Sequence, residues 1–303
     1  MEMSIARPWP IAVMSFNRPN YLSQVLQSVV EQEVDNISEH PIYLFQDGGY
    51  NKASNTERAA QSDIDACIEL FKKMIPWGKV IRSDRNLGVA LNFDRAEKEI
   101  FESLDSEVGI FLEDDLVMQP HYLSTLESMI DLARADDRVA YVSVYGNHRL
   151  SLSAQASAPG RFFLLEHNWA FALTRRQWLK NKPYVDAYLN IIRGHDYRER
   201  PRSEIYRLYH SWGVGCPGDS QDVTKTIACC LNKNVKLNIR ACLGKYIGEQ
   251  GLHMNSKLYR ERKYEETQLY PGLIEKLEVL TPQDFDRIFA VQMKWATERP
   301  CNI

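Results

Sequence analysis

The stretch Ile110-Phe111-Leu112-Glu113-Asp114-Asp115-Leu116-Val117 runs an apolar, β-type strand into three consecutive acids and then returns to apolar residues. Three adjacent carboxylates repel one another and lose hydration when buried. A fold keeps them at a strand end chiefly where a cation neutralises them, and a divalent metal carrying a substrate diphosphate is the commonest such cation. The competing explanation is a solvated helix N-terminus, where acids also favour the dipole. The surrounding pattern decides between the two.

Upstream, residues 11–14 read as a short buried strand that stops at Ser15-Phe16-Asn17-Arg18-Pro19. Asn20 is the expected cap of a helix with Leu22, Val25, Leu26, Val29 and Val30 at helical spacing. A second strand, 42–45, stops at Gln46-Asp47-Gly48-Gly49, and an amphipathic helix with Ile64, Ile68, Phe71 and Ile75 on one face follows. Residues 79–82 form a brief strand, after which Asn86-Leu87-Gly88 turns into a helix bearing Val89, Phe93, Ala96 and Ile100. The strand 108–112 and its acids come next. This fourfold alternation is the pattern of a parallel sheet wrapped by helices. Ligands of such sheets sit at the carboxyl ends of the strands. The polar clusters Asn17-Arg18, Gln46-Asp47, Arg85-Asn86 and Glu113-Asp114-Asp115 all fall at those ends, which favours the metal reading.

Downstream, a helix over 123–132 leads to a strand over 139–145. The texture from Gly146 to about Gly218 is aromatic, Arg-rich and irregular. A helix starts near Asp219-Ser220-Gln221-Asp222, a strand covers 235–240, and Phe285, Ile288, Phe289 and Met293 mark a terminal helix. The expected organisation is one domain over 1–255, with a nucleotide-binding half (9–145) and an acceptor half (146–255), and a helical C-terminal extension over 256–303.

The bulk properties of the 303 residues narrow the function further. Apolar residues make up 44% and charged residues 25%, as in ordinary globular chains. Lys plus Arg (37) nearly balances Asp plus Glu (40), for a net charge of -3, so bulk charge supports neither a nucleic-acid nor an anionic-membrane partner. No apolar run approaches the roughly 20 residues of a membrane span, which leaves only peripheral membrane association open. Met1 to Pro10 lacks the apolar core of a signal peptide. The six cysteines show no C-x-x-C spacing, which argues against zinc and disulfides and for a reducing cytoplasm.

These residues resemble the GT-A glycosyltransferases over roughly positions 9–255. Val13 to Pro19 with Tyr21-Leu22 is similar to the opening strand of family-2-like members, and Asn86-Leu87-Gly88 with Asn92 to their N-x-G-x-x-x-x-N element. Glu113-Asp114-Asp115, followed by Gln119-Pro120-His121-Tyr122, resembles the E-D-D form of the D-x-D motif in the N-acetylglucosaminyltransferase I group. His167 to Leu173 with Trp178 looks like the segment preceding that group's catalytic Asp. The resemblance implies an α/β, Rossmann-like, mostly parallel sheet flanked by helices, with an acceptor-side subregion and a helical tail. It implies a metal-dependent, inverting transfer from a nucleotide-diphosphate sugar, expected to be UDP-linked, to a carbohydrate or glycolipid hydroxyl. By the same resemblance Asp115 would ligate Mn²⁺ or Mg²⁺, Asp114 would bond the ribose, and Arg18 and Asp47 would touch the base. Phe16 and Asn86 would line the nucleotide site. Asp222 would be the general base. The sequence departs from the group in reading Ser-Gln-Asp where the group has two adjacent acids, and in lacking its anchor and stem.

Each role has a simpler competitor. Asp222, or Asp219 as second candidate, could instead cap the helix that starts there. Lys245 and His253 flank the loop Gly248-Glu249-Gln250-Gly251-Leu252, which reads either as a lid with Lys245 on the diphosphate and His253 on the metal, or as a plain surface loop. Trp169 and Phe171 could stack on a sugar or sit in the core. Arg193, His195, Arg198, Arg200, Arg202 and Arg207 could grip an anionic acceptor, although Asp196, Glu199 and Glu204 between them favour a solvated helix face. Two other functions are weaker. A sugar nucleotidyltransferase needs a Gly-rich, basic signature where Phe16-Asn17-Arg18-Pro19 stands, and a silent glycan-binding relative would have lost the metal acids or the base.

Overall fold

The computed structural model describes residues 8–252 and 254–298. His253, one of the two expected metal ligands, lies outside them. Along the first half run β1 (Ile11–Ser15), α1 (Pro19–Val30), β2 (Ile42–Gln46), a small hairpin of β3 (Tyr50–Asn51) and β4 (Thr56–Glu57), and α2 (Gln61–Met74). Then come β5 (Lys79–Arg82), α3 (Gly88–Lys98), β6 (Val108–Glu113), β7 (Leu116–Met118), α4 (Tyr122–Ala135) and β8 (Val139–Val142). The second half adds α5 (Leu152–Ala156), β9 (Phe162–Leu164), β10 (Ala170–Thr174), α6 (Arg175–Ile192) and α7 (Arg202–Ser211). It closes with α8 (Gln221–Leu231), β11 (Val235–Ile239), β12 (Gly244–Tyr246), α9 (Ser256–Glu261) and α10 (Pro282–Thr297).

Eight strands form one sheet in the order β5-β2-β1-β6-β10-β8-β11-β9. The contiguous strands β5, β2, β1 and β6 are mutually parallel, and β10 enters antiparallel between β6 and β8. Every residue of β1, β8, β10 and β11 is buried, as expected of strands covered on both faces. Phe93, Phe111 and Phe171 stack at the centre of that core, with ring centroids 5.2 to 6.4 Å apart. Phe171 is fully buried there, so it is a core residue and not a sugar platform.

Three local expectations change. Asn20 does not cap α1: Pro19 takes the first helical position, which its fixed φ suits, and Arg18 precedes it with no side-chain cap bond. The stretch expected to be irregular contains the 18-residue α6, capped by Thr174, whose hydroxyl accepts from the Gln177 amide. Its buried Trp178, Val185, Tyr188, Leu189 and Ile192 are diluted by Arg, Lys and Asn, which hides the period. Cys216 is disulfide-bonded, against the expectation of a chain without disulfides, while Cys67, Cys229, Cys230 and Cys242 are free and buried. Among the described residues no helix is long and apolar enough to cross a membrane. The tail joins the main core rather than standing apart, through Tyr259, Tyr264, Ile274, Phe285 and Ile288.

Candidate active site

The carboxyl ends of β1, β2 and β6 converge. Central β6 delivers Glu113, whose amide donates to the Trp169 carbonyl at 2.7 Å just before β10 begins. The chain turns at Asp114-Asp115 into β7, which pairs antiparallel with β12, Tyr246 opposite Leu116. That ribbon carries residues 247–252 back over the acids: the Ile247 amide donates to the Asp115 carbonyl at 2.8 Å. Gly248 comes so close that a Cβ there would lie 2.5 Å from the Tyr246 hydroxyl and 2.6 Å from Asp115 Oδ2. Only a residue without a side chain permits that approach.

Arg18, from the end of β1, neutralises the acid pair. Its Nη2 lies 2.9 Å from Asp115 Oδ2 and also contacts Asp114 Oδ1, while Nε donates to Asp114 Oδ2 at 3.3 Å. Burial alone would lower the Arg18 pKa; the charges of Asp114 and then Asp115 outweigh it and raise it. Asp115 is pushed up to about 6, by burial first, with Arg18 opposing and Asp114 adding repulsion. Glu113 is pushed well above its ordinary value by burial and then by repulsion from Asp115, Asp222 and Asp114, with Arg18 opposing. Asp115 Oδ1 is buried without a hydrogen-bond partner. A buried carboxylate oxygen left without a partner is a feature that a divalent cation satisfies, so the acid end fits a metal with Asp115 as protein ligand. Among the described residues no cluster of three or more His, Cys, Asp or Glu could enclose an ion unaided, so the remaining ligands would come from substrate and water.

Asp222 reaches the same space from the other half. Its helix, α8, is capped by Ser220, whose hydroxyl accepts from the Val223 amide, so neither Asp222 nor Asp219 is spent as the cap. Asn168 Nδ2 donates to Asp222 Oδ1 at 3.2 Å, and the Asn168 Oδ1 is itself a buried acceptor with no partner. Asp219 is held instead by Arg200 at 2.7 Å and Arg202 at 2.6 Å. Beneath Asp222, Lys236 Nζ donates to Thr226 Oγ1 at 2.9 Å, and Thr226 Oγ1 donates to the Asp222 carbonyl at 2.8 Å. Lys236 is fully buried, and burial lowers its pKa while Asp222 opposes that shift.

The other expected residues have different settings. Asp47 accepts from the amides of Gly48, Leu87 and Gly88 and from Asn86 Nδ2, at 2.8 to 3.0 Å, which fills the usual four acceptor sites of a carboxylate. Burial still pushes it up to about 6, against those bonds and the Arg95 charge. Asn86 also donates to the Gly48 carbonyl at 3.1 Å, so the pair fastens the start of α3 to the end of β2. Phe16 is half-buried against the core and its carbonyl accepts from Gln46 Nε2 at 2.6 Å. Lys245 donates to the Glu265 carbonyl at 3.5 Å, and strand alternation puts it opposite Tyr246, away from the acids. Trp169 is sandwiched, with His167 and Tyr246 each 4.3 Å away and nearly parallel, so neither indole face is open to a sugar. Arg200 is buried over Tyr197 and Arg58 pairs with Asp196 at 2.5 Å; these ties fasten the 193–202 segment across the halves and leave Arg200 no acceptor-gripping role. A cleft of about 590 Å³ opens beyond Gly48 and Gly49, lined also by Arg58, Arg82 and Asp84; none of Asp114, Asp115 and Asp222 borders it.

Sequence reasoning missed the counter-ion role of Arg18, the tether at Asn168 and the close approach of Gly248. The signals were present: an arginine at the first strand end, an asparagine amid apolar residues before β10, and two glycines three apart in the 248–251 loop.

No protein-family profile matches the chain. It is 21% identical over 208 residues to an alpha-1,3-mannosyl-glycoprotein 2-beta-N-acetylglucosaminyltransferase of Arabidopsis thaliana, a match covering 66% of this chain and 46% of that protein. The chain thus spans about half the length of that relative. Among solved structures it is similar to GalNAc-T7 with UDP, GalNAc and Mn²⁺ (TM-score 0.46, 12% identity, 76% of this chain and 42% of that one). It is also similar to S. aureus TarS (0.43, 12%, 77% and 35%) and to the galactosyltransferase LgtC with donor and acceptor sugar analogs (0.33, 12%, 60% and 65%).

Proposed function

We propose that the protein is a GT-A-type glycosyltransferase that uses a metal-bound nucleotide-diphosphate sugar, UDP-linked, and inverts the anomeric centre on transfer to a carbohydrate hydroxyl. The observation that carries this reading is the setting of Asp222. It is released from capping by Ser220, oriented by Asn168, and close enough to Glu113 that its charge helps raise the Glu113 pKa. A lone oriented carboxylate facing a cation-seeking acid pair is the division of labour that inverting transfer requires.

In this reading the acceptor hydroxyl oxygen attacks the anomeric carbon, the bond from that carbon to the diphosphate oxygen breaks, and the hydroxyl proton passes to Asp222. A general base so placed is worth on the order of 100- to 10,000-fold. Asp115 would hold the metal, whose positive charge would stabilise the leaving diphosphate. Asp114 remains the candidate for the ribose, while Asp47 and Asn86, occupied with one another, shape the base pocket through the turn they hold. The aromatic group of His167, Trp169 and Tyr246 forms a rigid wall beside the acids rather than a stacking platform.

The test is incubation with a panel of nucleotide sugars, Mn²⁺ and simple glycan acceptors, with release of free nucleoside diphosphate as the readout. Acceptor-stimulated release from a UDP-sugar is expected. Absence of both release and nucleotide binding in the presence of metal overturns the reading.

A further inference from the structure

Arg18 joins two features that the transfer reaction alone does not connect. Its guanidinium occupies both oxygens of Asp114 and Oδ2 of Asp115, leaving Asp115 Oδ1, on a residue 4% exposed, as the one oxygen of the pair without a partner. The same guanidinium donates through Nη1 to the Gln250 carbonyl at 3.4 Å. Tyr21 completes the arrangement: its hydroxyl accepts from the Gln250 amide at 3.2 Å, and its ring lies 5.3 Å from the guanidinium carbon. One cation therefore holds the acid pair and the 247–252 loop together.

A divalent ion seeking Asp115 Oδ1 meets a positive group already bonded to the neighbouring oxygens of two buried acids, so water screens the repulsion only in part. A diphosphate changes that balance, because it brings negative charge for both cations. We infer that Arg18 makes divalent-metal binding conditional on the nucleoside diphosphate: it blocks the metal while the site is empty of nucleotide and ceases to do so when the diphosphate arrives. This rests on the metal and nucleotide reading above and adds an order of assembly to it.

The experiment measures free Mn²⁺ by electron paramagnetic resonance during titration of native protein, Arg18→Met and Arg18→Lys, each with and without saturating UDP. Native protein is expected to bind Mn²⁺ about tenfold tighter or more with UDP present, within the usual span of coupled sites. Arg18→Met is expected to bind Mn²⁺ about tenfold tighter than native without UDP and to lose most of the UDP enhancement, while Arg18→Lys keeps it. Retention of the full UDP enhancement by a folded Arg18→Met overturns the gate and leaves the transferase reading standing. Native protein alone also decides the matter: Mn²⁺ affinity indifferent to UDP overturns the gate even if the Met variant does not fold. No binding of Mn²⁺ or UDP by native protein overturns both.

Discussion

Asn168 Nδ2 donates to Asp222 Oδ1 at 3.2 Å, linking the segment that enters β10 to the first turn of α8, 54 residues away. Asn168 is fully buried, so the bond fixes the carboxylate against a rigid part of the sheet. Asp222→Asn is expected to lower kcat by about 100- to 10,000-fold with UDP affinity unchanged. Asn168→Ala should lower kcat less, by loosening the same carboxylate. Steady-state kinetics with parallel UDP titrations separate these effects; unchanged kcat in Asp222→Asn removes Asp222 as the base.

Gly248 is the tightest point of the loop over the acids. Gly248→Ala forces its methyl onto the Tyr246 hydroxyl and Asp115 Oδ2, so the loop or the carboxylate must move. UDP affinity in Mn²⁺ should fall by about tenfold or more, as for other disturbances of a preorganised polar site. Thermal stability should change little, because the loop is peripheral to the core. A binding isotherm and a melting curve check the two halves of this expectation.

Beneath the site, Lys225 pairs with Glu97, the two being 1% and 3% exposed, and its ammonium lies 4.7 Å from the Phe93 ring centroid. Removing one partner leaves an unpaired buried charge, so Glu97→Ala should cost about 3–5 kcal/mol in denaturant unfolding. Replacing both with Met should recover most of that loss. A single substitution as mild as the double one would mean that the pair is not charged in the folded protein.

His167, stacked on Trp169, is pushed down to about 3 by burial, with Lys236 and Arg262 adding to the effect. Its folded pKa lies below the unfolded value, so the unfolded chain binds the proton first. Stability from this group is complete above the unfolded value of 6.5 and is lost as pH falls towards 3. The loss should reach about 2 kcal/mol by pH 5, from 1.36 kcal/mol per pH unit. Asp115 and Asp47, both raised to about 6, act in the opposite sense and make the protein more stable as pH falls from 6 towards their unfolded values. His167→Phe should therefore raise stability at pH 5 relative to native more than at pH 7.5, as melting curves at the two pH values will reveal.

The parallel half of the fold was legible because its chemistry is local. Strand β5 spans the predicted residues, and β1, β2 and β6 each extend one residue past the expected end. Each polar cluster lies where its strand stops. The antiparallel insertion of β10 was not legible, since its apolar run reads alike in either direction and its place between β6 and β8 is fixed by pairing distant in sequence. Lys236 and Asn238 alternate with apolar residues in β11 as solvent-facing residues do, yet both are buried, with Lys236 bonded to Thr226 of α8. At the site, the acids and Asp222 could be named from type and spacing. That Ser220 rather than an Asp caps α8, that Trp169 has both faces covered, and that Arg18 sits on the acids are facts of packing between segments up to 96 residues apart.

The most direct test of the account is calorimetric titration of UDP into native protein with Mn²⁺, with EDTA, and into Asp115→Asn with Mn²⁺. UDP is expected to bind in Mn²⁺, to lose that binding on chelation, and to bind about tenfold or more weakly to Asp115→Asn. Equal UDP affinity in all three conditions, or no UDP binding in any, would contradict the account.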